Sequence, residues 1–144
     1  MKKQKVVYII GSLRNPQVPI VANKLRKEFP QCEIFDSWYS PGPHADDFWR
    51  KYEKAKGITY KEALNSWAAK HIFEFDTFHI NRADIVIMVM PSGKSGHLEL
   101  GYALGKGKKG YILFDKEPKR WDVMVQFATD VFFELDELIK ELKK

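Results

Sequence analysis

The segment IVIMVMPSGKSGHLELGYALGKGKK, Ile85 to Lys109, decides how the rest of the chain is read. Ile85 through Met90 form a near-continuous apolar run, the pattern of a strand buried on both faces of a parallel sheet. Pro91 breaks the run, and small and polar residues follow: Ser92, Gly93, Lys94, Ser95, Gly96 and His97, closed by Leu98. Glu99 to Leu104 then reads as a short helix ended by Gly105 and Gly107. A strand, a glycine-rich loop and a helix N-terminus in that order gather free backbone N–H groups and the positive end of a helix dipole, which makes an anion site. Glu99 is the odd member, a carboxylate expected on the first turn of that helix. Either it complements the dipole or it is a nucleophile beside the place where a phosphate or sugar would lie, and the residues alone leave both open.

Commoner motifs fail at this loop. Gly93, Lys94 and Ser95 match the end of a P-loop, but the pattern needs glycine at position 88, which is Met. The run Gly93-Lys94-Ser95-Gly96-His97 is not G-x-S-x-G, which argues against a serine hydrolase. The dinucleotide fingerprint is also absent.

Working outward, Val6 to Ile10 is a first strand, stopped by Gly11 and Ser12, with Leu13 to Pro16 as a loop. Val18, Val21, Leu25 and Phe29 recur at helical spacing and predict a helix from about Pro19 to Phe29. Glu33 to Asp36 is a short strand. The loop after it, Ser37 to His44, carries Trp38 and Tyr39, and Trp38 either stacks on a flat ligand or plugs the top of the core. Asp46 to Lys56 predicts one helix. Thr59 and Glu62 form a capping box that opens a longer one to about Arg82, with Leu64, Trp67, Ala68, His71, Phe75 and Phe78 as its apolar stripe. Asp76, among Phe73, Phe75 and Phe78, is poorly explained by solubility and is taken as functional. Tyr111 to Phe114 is a fourth strand, Trp121 to Phe127 a short helix, Val131 to Phe133 a fifth strand, and Leu135 to Leu142 a terminal amphipathic helix.

Strands alternate with helices throughout, so the expected architecture is a three-layer α/β sandwich with a parallel five-stranded sheet in flavodoxin-like, or Rossmann-like, order 2-1-3-4-5. The ligand then belongs outside the carboxyl ends of the strands, near the switch point between the first and third. The 144 residues, 44% hydrophobic and 14% aromatic, are read as a single domain spanning 1–144. No stretch is long and apolar enough to span a membrane, nothing at the N-terminus resembles a signal peptide, and the lone Cys32 fits a reducing, cytoplasmic setting. The net charge of +5 is spread among 19 acidic residues, which favours a small anionic substrate over nucleic acid. His71 and His79 lack a metal-ligand arrangement, so no metal is expected.

Three blocks in register, VYIIGSLR (Val7–Arg14), FEFDTFHINRADIVIM (Phe73–Met88) and SGHLELGYALGKGK (Ser95–Lys108), resemble the nucleoside 2-deoxyribosyltransferases and the related deoxynucleoside 5′-monophosphate N-glycosidases. The resemblance implies cleavage of an N-glycosidic bond, with Glu99 attacking the anomeric carbon to form a glycosyl-enzyme that a second base or water resolves. It implies that Asp76 orients Glu99 or protonates the departing base, that Tyr8 lines the site, and that Gly11, Ser12, Arg14 and Ser92 hold the 5′ end. Gly93, Ser95, Gly96 and His97 fall in the same loop; His97 either touches the nucleophile or caps the helix. The loop is about one residue longer than in the monophosphate hydrolases, which leaves Ser92 open to replacement by Ser95. A homodimer or larger assembly is implied, with the neighbour's segment around Asp122 and Met124 closing each site, and no cofactor is called for. Alternatives are an NAD or ribonucleotide glycohydrolase and a non-catalytic nucleotide-binding domain.

Overall fold

Uninterrupted apolar runs become the middle of the sheet. The computed structural model describes residues 4–144. In it β1 (Val6–Ile10) is buried at every residue and β3 (Ile85–Val89) at all but the first, because helices cover both faces. With β2 (Glu33–Phe35), β4 (Lys109–Leu113) and β5 (Asp130–Phe132) they form an all-parallel sheet in the order β2-β1-β3-β4-β5, as the alternation of strands and helices predicted. Register places Tyr8 between Phe35 of β2 and Val86 of β3.

Strand alternation divides the core in two. Val7, Ile9, Ile87 and Val89 point to α1 (Gln17–Glu28) and α6 (Leu135–Leu142), whose buried Val18, Val21, Leu25 and Leu138 meet them. Val6, Tyr8, Ile10, Val86 and Met88 point to the opposite face, under α4 (Trp67–Arg82) and α5 (Lys94–Gly105), with Leu100, Ala103 and Ile80 in the contact.

Three expectations are corrected. The long helix from Thr59 is two: α3 (Tyr60–Leu64), opened by the Thr59–Glu62 capping box, and α4, opened by a second cap in which the Ser66 hydroxyl accepts from the Ala69 N–H at 3.3 Å. The helix after the loop starts at Lys94, five residues earlier than expected, so Glu99 stands on the second turn of α5, away from the first-turn amides. Its charge therefore does not serve as a first-turn complement to the dipole. Third, the stripe on α4 is not covered: Ile80 is the one buried side chain of that helix, while Trp67, Phe75 and Phe78 face outward, as does Leu64 of α3.

Candidate active site

Tyr8 sits midway along β1, and α4 and α5 rise on either side above it. Three ties clamp those helices together: the Tyr102 hydroxyl donates to Asn81 Oδ1 at 2.7 Å, and Lys108 Nζ donates to the carbonyls of Asn81 and Ala83 at 2.8 and 2.6 Å. A stack continues the clamp across the sheet. The Tyr8 ring lies 5.5 Å from Phe35, and Phe35 lies 3.9 Å from the His79 imidazole, the rings stacked and nearly parallel in both cases. Arg82 completes it, donating from Nε to His79 Nδ1 at 2.8 Å and gripping Glu33 of β2 with both terminal nitrogens. Desolvation first, then Arg82, pushes His79 below its ordinary pKa, which suits a neutral ring accepting from a guanidinium.

This clamp fixes Asp76 on α4 opposite Glu99 on α5. Both side chains are half-buried. Burial lifts the Asp76 carboxyl to about 6, and burial followed by the charge of Asp76 lifts Glu99 to about 8. Tyr8, fully buried beneath them, is pushed above its ordinary value by burial and then by Glu99 and Asp76, so its phenol keeps its proton. Two carboxyls that feel one another titrate as a pair. Between about pH 6 and 8 the pair holds one proton, the count that a nucleophile and an acid require between them.

The loops that follow β1 and β3 meet at the strand ends. Asn15, 97% buried, bridges them: its Nδ2 donates to the Pro91 carbonyl at 3.4 Å and its Oδ1 accepts from the Gln17 amide at 3.0 Å. Ser12 Oγ accepts from the Arg14 amide at 3.1 Å, a local turn that orients Arg14. Gly11 is packed tightly, since a Cβ there would meet Val18 Cγ2 at 2.7 Å. Trp38 donates from Nε1 to the Ile9 carbonyl at 2.7 Å and packs against both halves of the core, so its indole plugs the top of the sheet next to Gly11.

Around α5, Gly93 is the N-cap residue, and Lys94, Ser95 and Gly96 supply the free first-turn amides. Gly96 lies flush against the strand, and the Ser92 hydroxyl beside it is buried without a hydrogen-bond partner. His97 is not the cap: it occupies the fourth helical position, and its Nδ1 lies 2.8 Å from the Gly93 carbonyl oxygen. It turns away from Glu99, into a cleft of about 390 Å³ shared with Met90, Trp121 and Asp122. Asp122 Oδ1 caps the 3₁₀ turn Val123–Phe127 by accepting from the Met124 amide at 2.8 Å, and the Met124 side chain is exposed. Within one chain, then, Tyr8, Asp76 and Glu99 feel one another's charge, Asn15 ties the β1–α1 loop to the loop after β3, and Asp122 lines the cleft of His97.

Sequence reading missed Asn15, Phe35, His79 and the partners of Arg14. Asn15 followed by Pro16 has the look of an ordinary turn, and the aromatic stack joins strands and helix across 27 to 71 positions of chain. Among the described residues no group of three His, Cys, Asp or Glu side chains is arranged to hold a metal ion, and no helix is long and apolar enough to cross a membrane.

A parallel 2-1-3-4-5 sheet with a facing carboxyl pair at its switch point defines the class: a flavodoxin-like α/β fold with its candidate site outside the strand carboxyl ends. Among solved structures the chain is similar to the CMP N-glycosidase BcmB of Clostridium botulinum, with a TM-score of 0.53 and 16% identity over 97% of this chain and 100% of that one. It is similar also to a 2-deoxyribosyltransferase from Bacillus psychrosaccharolyticus, with a TM-score of 0.60 and 15% identity over 93% of this chain and 90% of that one. At these identities the likeness is one of fold. The sequence matches no protein-family model and no curated protein.

Proposed function

We propose that this protein cleaves the N-glycosidic bond of a 2′-deoxynucleoside or its 5′-monophosphate, passing the sugar to water or to a second base. The observation that carries the reading is the half-buried pair Glu99 and Asp76, on the adjacent helices α5 and α4 over the fully buried Tyr8. Two fold neighbours whose names describe an N-glycosidase and a deoxyribosyltransferase support it.

In the free protein the pair's single proton rests on Glu99, which titrates above Asp76; the reactive form is the one in which that proton has passed to Asp76 and Glu99 is the carboxylate. Glu99 attacks C1′ as the C1′–N bond breaks, and Asp76 delivers its proton to the departing base, leaving a sugar esterified to Glu99. Water or a second base then attacks C1′, its proton returns to Asp76, and the Glu99 carboxylate is released. Tyr8 holds its O–H beneath the pair as a fixed dipole where charge develops. Gly11, Ser12, Arg14 and the Ser92–Gly96 turn flank the 5′ end of the sugar. A ribonucleotide is the second candidate substrate, since the Clostridium botulinum neighbour is named for CMP.

A second copy of the chain completes the site in this reading. The helices α4 and α5, which carry Asp76 and Glu99, present Trp67, Phe78, Leu98 and Tyr102 to solvent. Burying that face against its symmetry mate would exclude water from the reaction and bring a neighbour's Asp122–Met124 segment within reach.

The test is a chromatographic assay against deoxynucleosides, their 5′-monophosphates, ribonucleosides, ribonucleotides and NAD, each with and without an acceptor base. Base release from deoxy substrates and a sugar adduct on Glu99 in acid-quenched protein are the expected results. Cleavage confined to NAD or to ribonucleotides would overturn the deoxy assignment, and full activity of both Glu99→Ala and Asp76→Asn would overturn the site.

A further inference from the structure

Arg14 is the cation that would greet a 5′-phosphate, and it is already engaged. Its Nη2 donates to Asp47 Oδ2 at 3.0 Å and lies 3.3 Å from Asp46 Oδ1, both at the N-terminus of α2 (Ala45–Ala55). The two aspartates are held in turn by Arg50, at 3.0 Å to Asp46 Oδ2 and 2.9 Å to Asp47 Oδ1, and His44 Nδ1 lies 3.5 Å from Asp47 Oδ2. Thirty-two residues of chain separate Arg14 from Asp46, so the contact is made by the fold, which carries the N-terminus of α2 over the β1–α1 loop. With His44 neutral, the formal charge of Arg14, Arg50, Asp46 and Asp47 cancels.

We propose that Asp46 and Asp47 exclude a phosphate from Arg14, restricting the site to substrates with an uncharged 5′ end, free nucleosides rather than nucleotides. The assignment of the 5′ end to this corner rests on the glycosidic reading above; the exclusion of phosphate does not.

The physical argument is one of local field. A phosphate dianion bonded to the Arg14 guanidinium would stand within a few ångströms of two carboxylates on the same group, and like charges at that distance repel, with the water that reaches these exposed side chains screening the effect to a modest size. Arg14 and Asp47 reinforce one another: the hydrogen bond that Arg14 donates to Asp47 raises the Arg14 pKa, and Asp47, though desolvation pushes it up, is held below its ordinary value by Arg14 and His44. Both side chains also lie in the first turn of α2, where the helix dipole favours negative charge. A hydroxyl meets none of this. Only Nη2 is used by the aspartates among the described residues, so Nε and Nη1 of Arg14 are free to donate to a neutral oxygen.

Two measurements test the proposal, one independent of turnover. Inorganic phosphate is titrated against the wild-type protein, Asp46→Asn/Asp47→Asn, and the same double variant with Arg14→Gln, each checked for folding by circular dichroism. The expected result is phosphate affinity at least about tenfold tighter in the double variant than in wild type, a gain of about 1.4 kcal/mol, lost again when Arg14 is replaced. Equal affinity in all three overturns it, as does a wild-type affinity that falls when Arg14→Gln is made alone. In the second, kcat/KM is compared for a deoxynucleoside and its 5′-monophosphate. Wild type is expected to favour the nucleoside, and a wild-type preference for the monophosphate overturns the proposal whether or not the variants fold. Phosphate affinity gained in the double variant with no cleavage of either substrate would leave the exclusion standing and sink the glycosidic reading.

Discussion

Glu99 and Asp76 make opposite demands on their surroundings, and the pH dependence of the protein follows. With the pair losing its protons near 6 and 8, kcat/KM is expected to be bell-shaped between those values, and Asp76→Asn should remove the single-proton optimum, cutting turnover about a hundredfold or more. Stability carries the same signature with a definite sign. The Glu99 carboxyl is raised from 4.5 unfolded to about 8 folded, so its favourable contribution is complete below about 4.5 and is lost as pH rises through about 8. Glu99→Gln, expected to abolish turnover, is therefore expected to match wild type in thermal denaturation at pH 4.5 and to exceed it at pH 9, by about 1–3 kcal/mol after allowing for partial solvent access. A Glu99→Gln protein no more stable at pH 9 than wild type would show that the carboxyl is not desolvated. Residues of this kind were legible in the sequence because an acid between phenylalanines, and one beside a glycine-rich turn, are costly unless used. The partners of Arg14 were not, since a contact between residues 14 and 46 leaves no periodic trace.

Among the elements, α5 shows why its start was misread. Lys94 to His97 includes glycine and serine, poor helix formers, and the run looks like loop. Packing decides otherwise. Gly96 lets the first turn settle onto β1, where a Cβ would stand 3.2 Å from both Ile10 Cγ2 and Ser92 Cβ and 2.0 Å from the Ser92 hydroxyl. The hydroxyl can rotate away but the two carbons cannot, so Gly96→Ala is expected to cost about 1–3 kcal/mol in urea denaturation. Adding Ser92→Gly should return part of that, the coupling expected of neighbours in a double-mutant cycle. The Thr59 capping box was visible as a pattern, whereas the second cap at Ser66 lacks the acidic third residue that would have announced it. Sheet order was the most legible part, because continuous apolar strands separated by amphipathic helices admit few arrangements.

For the whole molecule, periodicity revealed that α4 has an apolar face but not what covers it. The exposed Trp67, Phe78 and Leu98 predict self-association, and Trp67→Ser/Phe78→Ser is expected to shift the sedimentation coefficient to that of a monomer while the near-neighbour Tyr8–Phe35–His79 stack stays folded. A wild-type protein that sediments as a monomer at every concentration would end that reading. The same anatomy has a kinetic corollary. α4 is anchored at its carboxyl end by Ile80, His79 and Arg82, and its amino-terminal half projects from the sheet like a lever arm. If association with a second copy is what steadies that arm, dilution frees it and lets water reach the helix that carries Asp76. Specific activity then becomes a function of the protein's own abundance, and a cell could throttle the reaction by changing how much of the chain it makes.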